Sequence, residues 1–223
     1  DPNNTKTVSQ SLMRNPSVQD VYEPGSTGKI MTLAAALEEK KITPETVFSV
    51  PYSLKRGGDT FHDHERHPVQ RLTTAGILAV SSNTGTIKIG ETLSNDKLHE
   101  YLTKFGIGVS TGSGLPGESK GLFRPVNDWS GTTAPTVAFG QGYALTAMQA
   151  TSIFATIAND GVRVSPTVIA GTSDSSGKFT VASTRKSERV VSAKTAQQVR
   201  LMMESVVSGN GTAPSAAIPG YRV

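Results

Sequence analysis

The longest apolar run in the chain, Ile30 to Leu37, is rich in alanine and closed by Glu38-Glu39-Lys40-Lys41. It falls well short of the roughly 18 to 20 residues that span a bilayer, so it has to be hidden inside protein. Alanine and leucine favour helix, and the pattern predicts a buried helix over this run. Lys40 and Lys41 suit its solvated end, where cations meet the negative pole of the helix. Such a helix needs a core around it, and 223 residues suffice for one large domain or two small ones.

Composition narrows the classes further. Hydrophobic residues make up 36% and charged residues 18%, which is globular rather than disordered or fibrous. Twenty-two basic against eighteen acidic side chains leave +4, without the concentrated basic patch that marks nucleic-acid binding. The absence of cysteine removes disulfide frameworks, thiol catalysis and thiolate metal sites together. The chain opens at Asp1-Pro2-Asn3 without a signal-like segment and stops at Gly220-Tyr221-Arg222-Val223. Both ends read as cuts through a longer protein.

The remaining pattern is mixed α and β. Leu72 to Val80 reads as a second apolar helix, interrupted at Ser81-Ser82-Asn83, and Thr84 to Leu93 resumes the helical pattern. Ser94 suits an N-cap for Lys97–Phe105, which Gly106 ends. Ala144 to Ala158 is the strongest helix, and Ala193 to Val207 is a last amphipathic one. Residues 43 to 70 alternate short β-prone pieces, and Val162–Ile169 and Phe179–Val181 resemble strands around the turn Ser173–Lys178. The Gly- and Pro-rich stretch from 106 to 135 predicts a long ordered loop or a set of tight turns. No repeat or linker marks a domain boundary.

Chemistry concentrates at Glu23-Pro24-Gly25-Ser26-Thr27-Gly28-Lys29. A serine hydroxyl is a poor nucleophile until a base takes its proton. Ser26 and Lys29 lie three apart at a helix start, so their side chains share a face. The positive helix terminus and burial both disfavour a charged lysine there, moving it towards a working base. A capping box would place Glu or Gln where Lys29 stands. Ser-x-x-Lys occurs four times, at Ser26, Ser94, Ser175 and Ser183, so spacing alone does not separate a nucleophile from a helix cap. Only Ser26 combines a Pro-Gly approach with a long apolar helix behind it. Ser81 and Asn83 could both face a cleft from a tight turn, although serine and asparagine also favour helix-breaking turns. Ser208 to Asn210 repeats the spacing in a Gly-rich turn.

Taken together and in order, these segments resemble the transpeptidase domain of a class B penicillin-binding protein of the division or elongation type. The likeness runs through Asp1-Pro2-Asn3, Glu23–Lys29, Ser81-Ser82-Asn83-Thr84-Gly85 and Leu115-Pro116-Gly117-Glu118. It continues through Phe139-Gly140-Gln141-Gly142, the Thr146–Gly161 helix and its stop, Gly211-Thr212-Ala213 and Pro219-Gly220-Tyr221. The family's Ser-x-x-Lys, Ser-x-Asn and Lys-Thr-Gly set is a known mechanistic signature. The resemblance implies a serine D,D-peptidase or β-lactamase-like α+β fold: a five-stranded antiparallel sheet flanked by helices, with an all-helical lobe between Ser26 and about Ala158. It implies Ser26 as nucleophile, Lys29 as general base, Ser81 as proton relay, and Asn83 holding the substrate amide and helping to place Lys29. Gly140–Gly142 would lie near the cleft. Peptidoglycan stem peptides, β-lactams and divisome or elongation proteins are the implied partners, with no cofactor, metal or nucleic acid. An N-terminal anchor outside the chain would hold it at the extracytoplasmic face of the cell membrane.

One departure stands out. Lys-Thr-Gly or Lys-Ser-Gly is absent from all 223 residues, and the nearest string, Lys194-Thr195-Ala196, opens an amphipathic helix. The resemblance therefore implies that residues 1–223 are part of one transpeptidase domain, lacking its C-terminal strands and crippled alone. Phe61-His62-Asp63-His64-Glu65-Arg66-His67 offers three histidines and two acids, but in no standard zinc spacing, and reads as structural. Trp129 reads as a buried anchor and Tyr22 as packing. A serine β-lactamase, a β-lactam sensor and a non-catalytic binding module are the competing functions.

Overall fold

The computed structural model describes residues 6–182 and 185–223; Asp1-Pro2-Asn3 and Ser183 lie outside the described residues. After a 3-10 turn over Gln10–Met13 comes α1 (Pro16–Gln19), capped by Asn15, whose side chain accepts from the Ser17 N–H. A 3-10 turn over Gly25–Gly28 runs directly into α2 (Lys29–Glu38). Strands β1 (Val47–Val50), β2 (Ser53–Arg56), β3 (Asp59–His62) and β4 (Gln70–Thr73) follow. Next come α3 (Thr74–Ala79), α4 (Asn83–Gly90), α5 (Asn95–Phe105), α6 (Thr133–Ala138) and α7 (Ala147–Ala158). The last elements are β5 (Val162–Val164), β6 (Gly171–Ser173), β7 (Phe179–Val181), β8 (Ser187–Arg189) and α8 (Ala193–Glu204).

Helix α2 is the axis of the core. Every residue from Lys29 to Leu37 is buried, as befits a helix without a polar stripe. It packs against α4, α5 and α8, whose Ile89, Leu98, Leu102, Phe105 and Val199 join the same apolar cluster. The caps follow the sequence: Ser94 accepts from the Lys97 N–H, and Gly106 ends α5 in the left-handed region at φ 109°. Thr146 and Gln149 form a capping box at the start of α7. At the far end of α2, the Glu38 carboxylate receives Ser192 N–H (3.0 Å), Ser192 Oγ (2.8 Å) and Thr195 Oγ1 (2.5 Å). Those bonds hold its pKa below the usual carboxylate value, against the upward pull of burial.

The fold is mixed α and β, and the family's five-stranded sheet is incomplete here, as expected. Among the described residues the strands form four antiparallel pairs, β1 with β4, β2 with β3, β5 with β8 and β6 with β7. The segment from Ser26 to Ala158 is not wholly helical, because β1 to β4 lie within it. The apolar run from Leu72 divides: Leu72 and Thr73 belong to β4, opposite Phe48 and Val47, and the helix starts at Thr74. A short apolar run is compatible with either state, and here cross-strand pairing decides. The Val162–Ile169 strand is also shorter than expected, stopping at Val164.

The Gly/Pro-rich stretch is an ordered loop that runs into the start of α6. Its anchor is Gln149, 1% exposed, whose Nε2 donates to the carbonyls of Gly106, Val109 and Lys120, each at 2.9 Å. Trp129 is half-buried against Phe123 and His99, with Nε1 donating to the Arg124 carbonyl at 3.0 Å.

Candidate active site

The turn that carries Ser26 is braced from behind. The Gly25 N–H donates to the Gly140 carbonyl at 2.8 Å, and the Gly142 N–H donates to Glu23 Oε1 at 2.9 Å. Tyr22 and Leu145 exchange backbone bonds at 3.0 and 2.9 Å; the Tyr22 side chain is exposed, so its contribution is through the backbone rather than through packing. Gly140 sits at φ 97°, and a Cβ there would overlap the Gly25 carbonyl. The result is an exposed Ser26 one helical turn before a fully buried Lys29.

Lys29 is the first residue of α2 and is 0% exposed. Its Nζ donates to the Ser81 carbonyl at 2.5 Å and to Ser81 Oγ at 3.0 Å. Burial pushes its pKa down to about 8, with the negative charge of Asp63 partly opposing. An amine so placed is available as a base near neutrality.

Ser81 reaches Lys29 through a particular way of ending α3. The Ser82 N–H donates to the Ile77 carbonyl and the Ser81 N–H to the Leu78 carbonyl, both at 3.0 Å. This is a Schellman pattern with Ser81 in the left-handed position, φ 53°, where glycine is usual. Ser82 then caps α4, accepting from the Gly85 N–H at 2.9 Å. Asn83 donates through Nδ2 to the His62 carbonyl at 2.9 Å. Lys29 is thus held by Ser81, whereas Asn83 bonds to the strand beneath the turn.

Ser26, Ser81 and Asn83 line one cleft of about 780 Å³, together with Asp63 to His67 and a strap at Asn210–Thr212. The strap is fixed by the Thr212 N–H on the Ala79 carbonyl at 3.1 Å. All four expected residues therefore meet at one place, with Lys29 under the floor. Among the described residues, two other Ser-x-x-Lys strings lie elsewhere: Ser94 caps α5, and Ser175 lies in the turn between β6 and β7. Lys194 and Thr195 occupy the first turn of α8, where Thr195 is engaged by Ser192 and Glu38. The bonds that Asp63 accepts from Ser82 and Thr84 escaped sequence reasoning; Gly140 was expected near the cleft, and its contact with Gly25 shows how it gets there. Among the described residues no group of three His, Asp or Glu side chains is arranged to hold a metal ion.

The family model described as penicillin binding protein transpeptidase domain matches residues 1–223. Penicillin-binding protein PbpB of Mycobacterium tuberculosis is 42% identical over 215 residues, covering 94% of this chain and 32% of its own length. Peptidoglycan D,D-transpeptidase FtsI of Escherichia coli is 32% identical over 230 residues, covering 100% of this chain and 36% of its own. The chain thus spans about a third of the length of these curated relatives. Among solved structures, penicillin binding protein 3 from Mycobacterium tuberculosis, complexed with aztreonam, superposes with a TM-score of 0.90 at 43% identity. That match covers 93% of this chain and 48% of the solved one.

Proposed function

The chain belongs to the penicillin-binding protein transpeptidase family, and from that premise we propose that its cleft forms a serine acyl-enzyme on peptidoglycan stem peptides, cross-links them, and is acylated by β-lactams. The observation that carries this is the buried Lys29, poised near pH 8 and bonded to Ser81, under a cleft open to Ser26.

In this reading neutral Lys29 takes the Ser26 proton while Oγ attacks the carbonyl of the penultimate D-alanine. As the carbon–nitrogen bond breaks, Ser81 gives its proton to the departing D-alanine amine and is reprotonated from Lys29. Asn83, with Nδ2 committed to His62, has its side-chain oxygen left to accept from a substrate amide N–H. The amine of a neighbouring stem peptide then attacks the ester and restores the Ser26 hydroxyl. Residues 1–223 act as part of a single transpeptidase domain. The full protein works at the outer face of the cell membrane through an N-terminal anchor, alongside division or elongation proteins. Among the described residues no helix is long and apolar enough to cross a membrane.

Intact-mass measurement after incubation with a penicillin tests the proposal on the full protein and on Ser26→Ala. A persistent single adduct that vanishes in the variant is expected. No adduct on the unmodified protein, or rapid hydrolytic turnover of the drug, would refute it, the latter in favour of a β-lactamase.

A further inference from the structure

Between β3 and β4 the chain crosses the junction of α3 and α4 as a strap, and Asp63 is its point of attachment. The Asp63 side chain is 9% exposed. Its Oδ1 accepts the Thr84 N–H at 2.9 Å; its Oδ2 accepts Ser82 Oγ at 2.7 Å and His67 Nε2 at 3.0 Å. Because Ser82 Oγ in turn accepts the Gly85 N–H at 2.9 Å, the carboxylate extends the N-cap of α4. It also places a negative charge at the positive end of that helix. Residues 82 to 85 are fixed by these bonds, and with them the position of Ser81 just before and Asn83 within.

His67 faces two acceptors. Its Nδ1 lies 2.7 Å from the Pro68 carbonyl oxygen and its Nε2 3.0 Å from the Asp63 carboxylate. Neither partner carries a hydrogen, and a neutral imidazole has only one N–H, so only the imidazolium satisfies both. The Pro68 bond first, then Asp63, lift the His67 pKa above its ordinary value, with burial partly opposing. The other charged or titratable groups nearby are Lys29 beneath the turn, His64, Glu65 and Arg66 on the strap, and His62 on β3. His62 and His67 both pack on Tyr52, with Arg66 over the same ring at 5.5 Å.

We propose that Asp63 is a positioning residue for the Ser81–Asn83 turn and the counter-charge of Lys29, and that His67 is the proton-dependent latch holding Asp63 in place. Its effect on rate rests on the acyl-enzyme reading above; the latch itself does not. As pH rises through the His67 pKa, one of the two bonds is lost and the strap loosens over the turn.

The test is the pH profile of penicillin acylation for the full protein and for Asp63→Asn. Asparagine keeps the size and one acceptor, but its amide nitrogen cannot accept from Ser82 and His67. The limiting rate is expected to fall roughly 10- to 100-fold through misplacement of the turn. The limb that rises through about 8 in the wild type is expected to move to lower pH, because Lys29 loses a negative neighbour. An unchanged rate, or a lower rate with an unmoved limb, overturns the proposal. NMR titration of the His67 ring is expected to give a pKa above 6.5 in the wild type and a lower one in Asp63→Asn; a wild-type value at or below 6.5 overturns the latch. This titration needs no acylation, so failure of the wild type to form an adduct sinks the Ser26 reading while the latch is still decided. Should Asp63→Asn not fold, His67→Gln keeps one non-titrating donor. It should abolish the fall in rate that accompanies His67 deprotonation, and a profile identical to the wild type counts against the proposal.

Discussion

Replacing Ser81 by alanine and, separately, by glycine isolates the cost of the left-handed backbone that brings it to Lys29. Both changes delete Oγ and its 3.0 Å bond to Nζ, and both leave the backbone carbonyl that Lys29 also engages. They differ only in Cβ. At an ordinary helix or strand position glycine is less stable than alanine by roughly 0.5–1 kcal/mol, because it loses more freedom on folding. At φ 53° the balance shifts, since a Cβ in the left-handed region costs roughly 1–2 kcal/mol. Subtracting one from the other makes Ser81→Gly more stable than Ser81→Ala by about 1 kcal/mol. For a chain of this size that is about 2–4 °C in Tm, readable by paired thermal or urea denaturation. Both variants should acylate more slowly than the wild type, so the stabler protein is not the more active one. A glycine variant no more stable than the alanine variant would show that the Schellman geometry at Ser81 is relaxed, and the strain argument would fall.

Two further outcomes follow from the same site. Gly140→Ala drives a Cβ into the Gly25 carbonyl at φ 97°; combining backbone strain with overpacking, it should cost about 3 kcal/mol or more and depress penicillin acylation, checked by denaturation and adduct mass. Lys29 is depressed from 10.5 to about 8, so the unfolded chain binds the extra proton between those values. Stability attributable to Lys29 should therefore rise by about 3 kcal/mol from pH 8 to pH 10.5 and be lost again as pH falls. Urea titrations of wild type against Lys29→Met isolate this change, since the alkaline behaviour of Tyr101 and Tyr143 is common to both; parallel curves would mean an unperturbed lysine.

What the sequence revealed was local. The apolar run at Ile30, the cap at Ser94 and the stop at Gly106 are each written in a few neighbouring residues and recur in the fold. The Ser26–Lys29 spacing was visible too, but its meaning came from the cleft it reaches, which the described strings at Ser94 and Ser175 do not line. What stayed hidden depends on distant partners. Leu72 looked helical until Phe48 paired with it across the hairpins. Asp63 sat in a stretch read only as structural, while two of its partners, Ser82 and Thr84, lie 19 and 21 residues away. The left-handed turn at Ser81 leaves no trace in composition, because serine is unremarkable beside asparagine in any turn.

Helix α2 is clamped at both ends, by the Gly140–Gly25 contact before its first turn and by Glu38 under the start of α8. Between them it has no exposed face on which to slide. The floor of the cleft is thus an anvil: whatever adapts to admit an incoming molecule moves around α2 and not with it. The same geometry partitions heritable variation. A side-chain change along Ile30 to Leu37 disturbs the fold before it alters recognition, while Glu65, Val80 and Asn210 on the rim can vary without that toll. Lineages that reshape what this cleft accepts will do so from its lip.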